Sequence, residues 1–403
     1  MHTMSSRGKA LTPALFELDE IEVVARPKRQ RSVGARDAVS RYTKLREALD
    51  KDKETNGNWI EIDTLNVSTE KPAPLFFADL FSGAGGFSVG VTQAGFKKVF
   101  SVEIDNDASN TIRRNFPESI HFETPIENLT EQELDASLKG KHVDVMFGGP
   151  PCQGFSVAGL RNPNDPRNVL FKEYIRIVKH IKPDFVVLEN VPGILTMEGG
   201  KVYREIIRQF AEAGYPNMTA RILEAATFGV PQLRTRAIFI GNRLGVPNPY
   251  PKVIHARGEY NTIESAIEDM KHLPRFAVPN HEWTEHSEKI EKRIAQIPPG
   301  GSLYETFRDA YKRQYRGVPS MAVKENHGGC HVHYELDRVL SAREMARLQT
   351  FPDDFFFTGT FKRAYWQIGN AVPCLMAKHI ALAVKQQLAT TRKPNRSGSR
   401  AKP

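Results

Sequence analysis

From about Lys71 onward, apolar runs of strand length alternate with amphipathic stretches. The runs are PLFFADLF (74–81), KKVFSVEI (97–104), HVDVMFGGP (142–150), DFVVLENV (184–191) and RAIFIGN (236–242). Between them, Leu170–Ile181 and Lys201–Ala213 carry their apolar residues at helical spacing. Near-continuous apolar strands separated by helices predict a parallel sheet covered on both faces. Right-handed crossovers then give an α/β fold with a doubly wound, mostly parallel sheet.

The alternation stops between about Leu244 and Asp337. That stretch holds Pro247, Pro249, Pro251, Pro274, Pro279, Pro298, Pro299 and Pro319, one convincing helix at Thr262–Leu273, and scattered tyrosines. It reads as a smaller, irregular domain inserted into the first. Helical texture returns at Ser341–Gln349, and a last helix is predicted over Pro373–Leu388. The expected divisions are an N-terminal extension (1–72), a catalytic and cofactor-binding domain (73–245), the insertion (246–337), a supporting and returning segment (338–390) and a basic tail (391–403). Within the extension a helix is predicted over Arg36–Lys53. The cluster Arg26, Lys28, Arg29 and Arg31 reads more readily as a solvated charge run than as a polyanion-binding arm.

Composition narrows the class. Lys and Arg total 56 against 47 Asp and Glu, a net charge of +9, which permits a polyanionic partner without requiring one. The three cysteines, Cys152, Cys330 and Cys374, form no C-x-x-C pair, so neither a disulfide framework nor a thiolate metal site is expected. No run approaches eighteen apolar residues, and the N-terminus lacks a secretory pattern, so the expectation is a soluble intracellular chain.

Four segments carry candidate chemistry. In DLFSGAGGFSVG (79–90) a strand runs into a glycine turn before a helix, which lets backbone N–H groups approach a ligand closely. Glu103 follows at the end of the next strand, where a carboxylate can bond ribose hydroxyls; alone this supports an adenosine-containing cofactor of unspecified kind. In GGPPCQGFS (148–156) paired prolines preset a stiff turn that presents the Cys152 thiol at the carboxyl edge of the sheet. In FVVLENVPG (185–193) Glu189 ends an apolar strand, where desolvation would favour a protonated carboxyl able to donate a hydrogen bond. In FGVPQLRTRAIFIG (228–241) Gln232, Arg234 and Arg236 alternate, so an extended backbone sends all three from one face.

Together, and in this order, the four segments resemble the DNA cytosine-5 methyltransferases. Two later segments match as well: RVLSAREMARLQTFPDDF (338–355) and the closing QIGNAVP (367–373). The resemblance covers about Phe77 to Ile380. It implies a Rossmann-like S-adenosyl-L-methionine-dependent fold with an inserted target-recognition domain, of the prokaryotic restriction-modification type. It implies catalytic roles for Cys152, Glu189, Arg234 and Arg236. Cofactor binding would fall to Phe81, Gly83, Gly85, Glu103, Ile104, Pro150 and Asn370, and DNA contact to Ser156, Arg167 and Gln232. No metal is implied.

The chain departs from the family pattern in HFETPIEN (121–128): Pro125 stands where an aspartate commonly meets the adenine amino group, leaving Glu127 or a backbone carbonyl as substitutes. Gly154–Asn168 resembles the mobile loop that closes over a flipped base. In the insertion, FRDAYKRQYRG (307–317) suits a phosphate-and-stacking surface. KENHGGCHVHYE (324–335) lacks a zinc-ligand spacing and reads as a DNA-touching glycine loop or a plain structural one. The implied partner is double-stranded DNA, with a separately acting restriction endonuclease as a further one, and the implied state is a monomer in the prokaryotic cytoplasm, near the nucleoid. An RNA cytosine-5 methyltransferase and a catalytically silent DNA-binding regulator are the alternative readings.

Overall fold

The computed structural model describes residues 45–47, 49, 58–67, 74–151, 169–306, 310–324 and 331–392. The basic cluster at 26–31, most of the helix expected over Arg36–Lys53, and the tail after Arg392 lie outside the described residues. Strands, in chain order, are β1 (Trp59–Ile62), β2 (Leu75–Leu80), β3 (Phe96–Glu103), β4 (Ile120–Glu123), β5 (Val145–Gly148), β6 (Phe185–Asn190), β7 (Thr219–Glu224), β8 (Gln232–Leu233), β9 (Thr235–Asn242), β10 (Asn248–Pro251), β11 (Lys312–Arg313), β12 (Ser320–Met321) and β13 (His331–Val332). The helices are α1 (Gly86–Gln93), α2 (Asn106–Asn115), α3 (Glu131–Leu138), α4 (Val169–Ile181), α5 (Lys201–Glu212), α6 (Ile263–Ile267), α7 (Glu288–Ala295), α8 (Ala342–Leu348), α9 (Phe361–Asn370) and α10 (Cys374–Thr391).

Seven strands form the central sheet in the order β4-β3-β2-β5-β6-β9-β7. All neighbours are parallel except β9, which runs antiparallel to both β6 and β7. The expected sheet is therefore present, with one reversed strand. The reason is connection length. Residues 225–234 join β7 to β9 through a 3-10 turn, too short for the helical crossover that a parallel neighbour requires.

Both faces are covered. On one, Leu134, Tyr174, Ile177, Val178, Ile206 and Phe210 from α3, α4 and α5 pack on Met146, Val186 and Phe239. On the other, α1 and α10 pack on Phe77, Phe147 and Val187. Helix starts follow local chemistry: Thr130 with Glu133, and Ser341 with Glu344, form capping boxes at α3 and α8, and Asp105 caps α2 by accepting from the Ala108 N–H. α10 enters directly after Pro373 and buries residues on almost every face.

The insertion has little regular structure and is tied to the large domain. β12 pairs with β8, while α6, α8 and α9 share a core containing Ile263, Tyr334, Leu348, Phe357 and Tyr365. The helix expected over Thr262–Leu273 is shorter than expected: α6 followed by a 3-10 turn at Glu268–Met270. Residues 58–67 of the N-terminal extension belong to the fold, since β1 pairs with β10 and Trp59 is buried. At the amino edge of the sheet His142, Asp144 and Asp184 lie together, and Arg392 donates to both carboxylates at 2.5 and 2.6 Å, so they already hold a cation of the chain's own. Among the described residues no helix is long and apolar enough to cross a membrane.

Candidate active site

The strand order turns back on either side of β2, so the crevice between the carboxyl ends of β2 and β5 is where this topology binds ligands. β2 delivers the glycine turn there. Phe81, Gly83 and Gly85 all take left-handed backbone angles (φ 55°, 51° and 90°), which bends the chain sharply into α1. A side chain added at Gly83 would meet no atom within 4 Å, so the turn borders open space.

Glu103, at the end of β3, faces this turn. Its Oε2 accepts from the Gly83 N–H at 2.8 Å, and Oε1 accepts from the N–H groups of Ile104 and Asp105, each at 2.9 Å. Burial raises the carboxyl's pKa, against the opposing pull of those three N–H bonds. Beside it Ile104 is 65% exposed, an apolar surface next to a fixed carboxylate. That pairing fits a nucleoside: the carboxylate for ribose hydroxyls, the isoleucine for a flat ring.

Beneath the turn, Ser88 of α1 donates to Asp79 at 2.6 Å. Burial lifts the Asp79 carboxyl to about 6, opposed by that bond and by Lys98, while burial lowers Lys98 to about 7. Asn370, exposed at the end of α9, comes from the closing segment, which lies against α1 so closely that a Cβ on Gly86 would sit 2.2 Å from the Val372 carbonyl. In the segment carrying the departure at Pro125, the Pro125 carbonyl accepts from Asn128, and Glu127 is exposed in the short 3-10 turn.

The second half of the crevice is built from β5, β6 and β9. Asn190 donates from Nδ2 to the Pro150 carbonyl at 3.0 Å, tying the end of β6 to the proline turn that leads into Cys152. A Cβ on Gly149 would lie 3.3 Å from Glu189 Oε2, close enough to nudge that oxygen by a few tenths of an ångström. The other oxygen, Oε1, pairs with Arg236 Nε at 2.6 Å, and both side chains keep limited exposure (14% and 16%). Reversal of β9 makes this contact, because it sets the start of β9 against the end of β6, with Asn190 opposite Ala237. Glu189, at the partly desolvated end of an apolar strand, thus sits in an ion pair with the arginine expected to orient it. Cys152, Ser156 and Arg167, with the loop over Gly154–Asn168, lie outside the described residues.

Gln232 and Arg234 do not share Arg236's surroundings. Arg234 is buried and donates to three backbone carbonyls: Val323 at 2.6 Å, Gly369 at 2.9 Å and Ala371 at 3.0 Å. Burial drives its pKa well below the ordinary arginine value. Gln232, fully buried, accepts from Val323 N at 2.7 Å and donates to the Leu348 carbonyl and to Gln349 Oε1. Expected on the base and the DNA, these two residues clamp the insertion to the closing segment in the fold. The cause is tertiary, since the strand face they leave from is covered by residues 320–323 and 348–371.

Arginines of 338–355 are likewise internal staples. Arg338 grips Glu344, Arg343 donates to the carbonyls of Pro279, Pro352 and Phe355, and Arg347 reaches Asp353 and Asp269. In the insertion, Arg313 is buried and bonds the carbonyls of Ile294, Ile297, His333 and Leu336, so it organises the lobe instead of facing a phosphate. Tyr315 does stay 44% exposed. His333 is buried, its Nδ1 accepts from the N–H groups of Glu335 and Leu336, and burial lowers its pKa to about 4. Sequence reasoning missed Asn190, Glu224 and Gln349. Asn190 had a signal, its place beside Glu189. Glu224, which accepts from Arg234 N and Thr235 Oγ1, and Gln349, which donates to the Ile368 and Ala371 carbonyls, had none.

Residues 75–386 match the family described as C-5 cytosine-specific DNA methylase. The chain is 41% identical over 328 residues to the type II methyltransferase M1.HphI of Haemophilus parahaemolyticus, covering 77% of this chain and 86% of the relative. To the type II methyltransferase M.DdeI of Desulfomicrobium norvegicum it is 33% identical over 366 residues, covering 75% and 86%. Among solved structures, an Escherichia coli prophage-encoded protein assigned as a DNA modification methyltransferase superposes with a TM-score of 0.65 at 27% identity, covering 78% of this chain and 99% of that one.

Proposed function

Since the chain belongs to the C-5 cytosine-specific DNA methylase family, an S-adenosylmethionine-dependent DNA cytosine-5 methyltransferase, we propose how its own residues carry the reaction. Carbon 5 of cytosine is a poor nucleophile, and the target base is out of reach inside a stacked duplex, so it must flip into the crevice. The Cys152 thiolate attacks carbon 6; the new S–C6 bond sends the ring's electron pair toward carbon 5. A proton held between Glu189 and ring N3 makes the hydrogen bond that offsets the negative charge developing on the ring. Arg236 holds Glu189 Oε1 and thereby aims Oε2.

S-adenosylmethionine, when bound, supplies an electrophilic methyl group on a sulfonium sulfur. Phe81, Gly83, Gly85, Glu103, Ile104, Pro150 and Asn370 would hold it against that carbon. Once carbon 5 has bonded the methyl group, its proton passes to water and the S–C6 bond breaks, which returns the aromatic ring and the free thiolate. The observation carrying this reading is the Glu189–Arg236 pair, set beside the Asn190-anchored proline turn and opening on the same crevice as Glu103.

The finer reading is a modification enzyme of a type II restriction-modification system, a monomer acting in the cytoplasm on chromosomal DNA, with the restriction endonuclease a separate protein. Residues 246–337 would choose the sequence, and Ser156 and Arg167 would touch the DNA. The test is transfer of labelled methyl groups from S-adenosylmethionine to mixed-sequence duplex DNA, with RNA and the Cys152→Ser and Glu189→Gln variants alongside. Expected are label on cytosines of one short context, none with Cys152→Ser, and a loss of about 100-fold or more with Glu189→Gln. Label on RNA alone, or undiminished turnover by Cys152→Ser, would overturn it.

A further inference from the structure

We infer that Arg363, at the start of α9, is a positioning residue for the cofactor: it holds the Glu103–Asp107 loop in the shape that presents Glu103 and Ile104. The inference rests on the reading of those two residues as cofactor contacts. Arg363 Nε donates to Asp107 Oδ2 at 2.7 Å, and its Nη2 donates to Asp105 Oδ2. Asp105 is the middle of a relay. Its side chain caps α2 through Ala108 N and takes the guanidinium, while its own backbone N–H donates to Glu103 Oε1. A shift of Asp105 therefore moves the carboxylate and the neighbouring Ile104 together.

The surroundings fix where Arg363 stands. Thr358 donates to the Asp107 carbonyl at 2.7 Å, and its backbone N–H bonds Thr111 Oγ1 at 2.9 Å. Thr111 in turn donates to Gln367 Oε1 at 2.7 Å. At Gly359, with φ 86°, an added Cβ would lie 2.7 Å from the Asp107 carboxylate, so the backbone lies directly against the ion pair. The guanidinium packs 4.6 Å from the Trp366 ring centroid. Ten residues long, α9 carries Arg363 near its start and Asn370 at its end, so one short helix touches both walls of the cofactor crevice.

Exposure decides what kind of effect to expect. Arg363, Asp105 and Asp107 keep 31%, 23% and 29% of their side-chain surface, and pairs exposed to that degree add little to global stability. What the pair controls is local geometry. Binding of S-adenosylmethionine and of S-adenosylhomocysteine, without DNA, is measured by titration calorimetry for wild type, Arg363→Ala, Arg363→Lys and Glu103→Gln, with kcat and KM for the cofactor measured beside it.

Arg363→Ala should weaken both ligands about 5- to 10-fold and raise the cofactor KM alike, with kcat at saturation within about 2-fold. Arg363→Lys should recover most of the loss. Asp107→Asn should weaken binding similarly, and adding it to Arg363→Ala should cost little more; if Arg363→Ala does not fold, Asp107→Asn carries the test alone. Unchanged affinity in Arg363→Ala, or a fall in kcat at constant KM, would overturn the inference. Unchanged affinity in Glu103→Gln would instead overturn the cofactor reading beneath it.

Discussion

Arg234 shows how differently one residue type can be used within three positions. Arg236 ends at a carboxylate in the crevice, whereas the Arg234 guanidinium ends at three main-chain carbonyls. Replacing a buried charge that makes three such bonds by an apolar chain of similar length strands its partners, and breaking such an arrangement typically costs about 3–5 kcal/mol. Arg234→Met should therefore lower unfolding stability by about that much in urea, with turnover lost through displacement of residues 320–323 and 368–371. A wild-type urea midpoint with turnover selectively abolished would return Arg234 to the reacting base. The alternation of Gln232, Arg234 and Arg236 was readable from the chain. Which of them would be covered was not, because the covering residues lie about ninety to one hundred and forty positions away.

Among elements, legibility followed how local the chemistry is. The glycine turn, the proline-stiffened loop and the strand-ending Glu189 stood out because each needs particular residue types at adjacent positions. β7 did not, since TARILE alternates polar and apolar residues and its polar members are satisfied elsewhere: Thr219 by Tyr250 and Glu224 by Arg234 N and Thr235. The reversal of β9 was hidden for a related reason, as it depends on a connection whose path only the folded chain reveals. The contact of α1 with α10 is a demanding pairing of elements. A Cβ on Gly90 would lie 2.2 Å from the Cys374 carbonyl and 2.6 Å from Lys378 N, both main-chain atoms that cannot turn aside. Gly90→Ala must push the helices apart, at a cost of about 1–3 kcal/mol, and should loosen the closing segment enough to weaken cofactor binding. Gly193→Ala, where an added Cβ meets nothing within 4 Å, is the matched control and should leave the thermal midpoint within about 1 °C. Equal midpoints for the two variants would mean that the helices have slack the distances deny.

For the whole molecule, the family match begins at residue 75, yet the fold begins earlier. β1 lies parallel to β10 with Trp59 opposite Asn248, and Trp59 is only 6% exposed. Arg221, from the edge strand β7, packs 3.8 Å from the Trp59 ring centroid and bonds Glu61 at 2.8 Å, while Thr64 pairs with His379 of α10 at 2.8 Å. One short segment thus touches the sheet's last strand through Arg221 and ties both the exit into the insertion and the return helix. Four residues flanked by polar sequence gave no periodic signal for this, because their partners lie nearly two hundred positions downstream. An uncovered edge strand and an emptied aromatic site are separate liabilities, exposure to intermolecular pairing and a cavity of aromatic size. Trp59→Ala should accordingly cost about 3–5 kcal/mol in urea unfolding while leaving kcat unchanged at a temperature where the variant is folded. A chain starting at Leu75 should aggregate on expression, and one starting at Asn58 should stay folded and active. Equal behaviour of the two truncated chains would show that the family domain is self-sufficient and that β1 is an ornament on it.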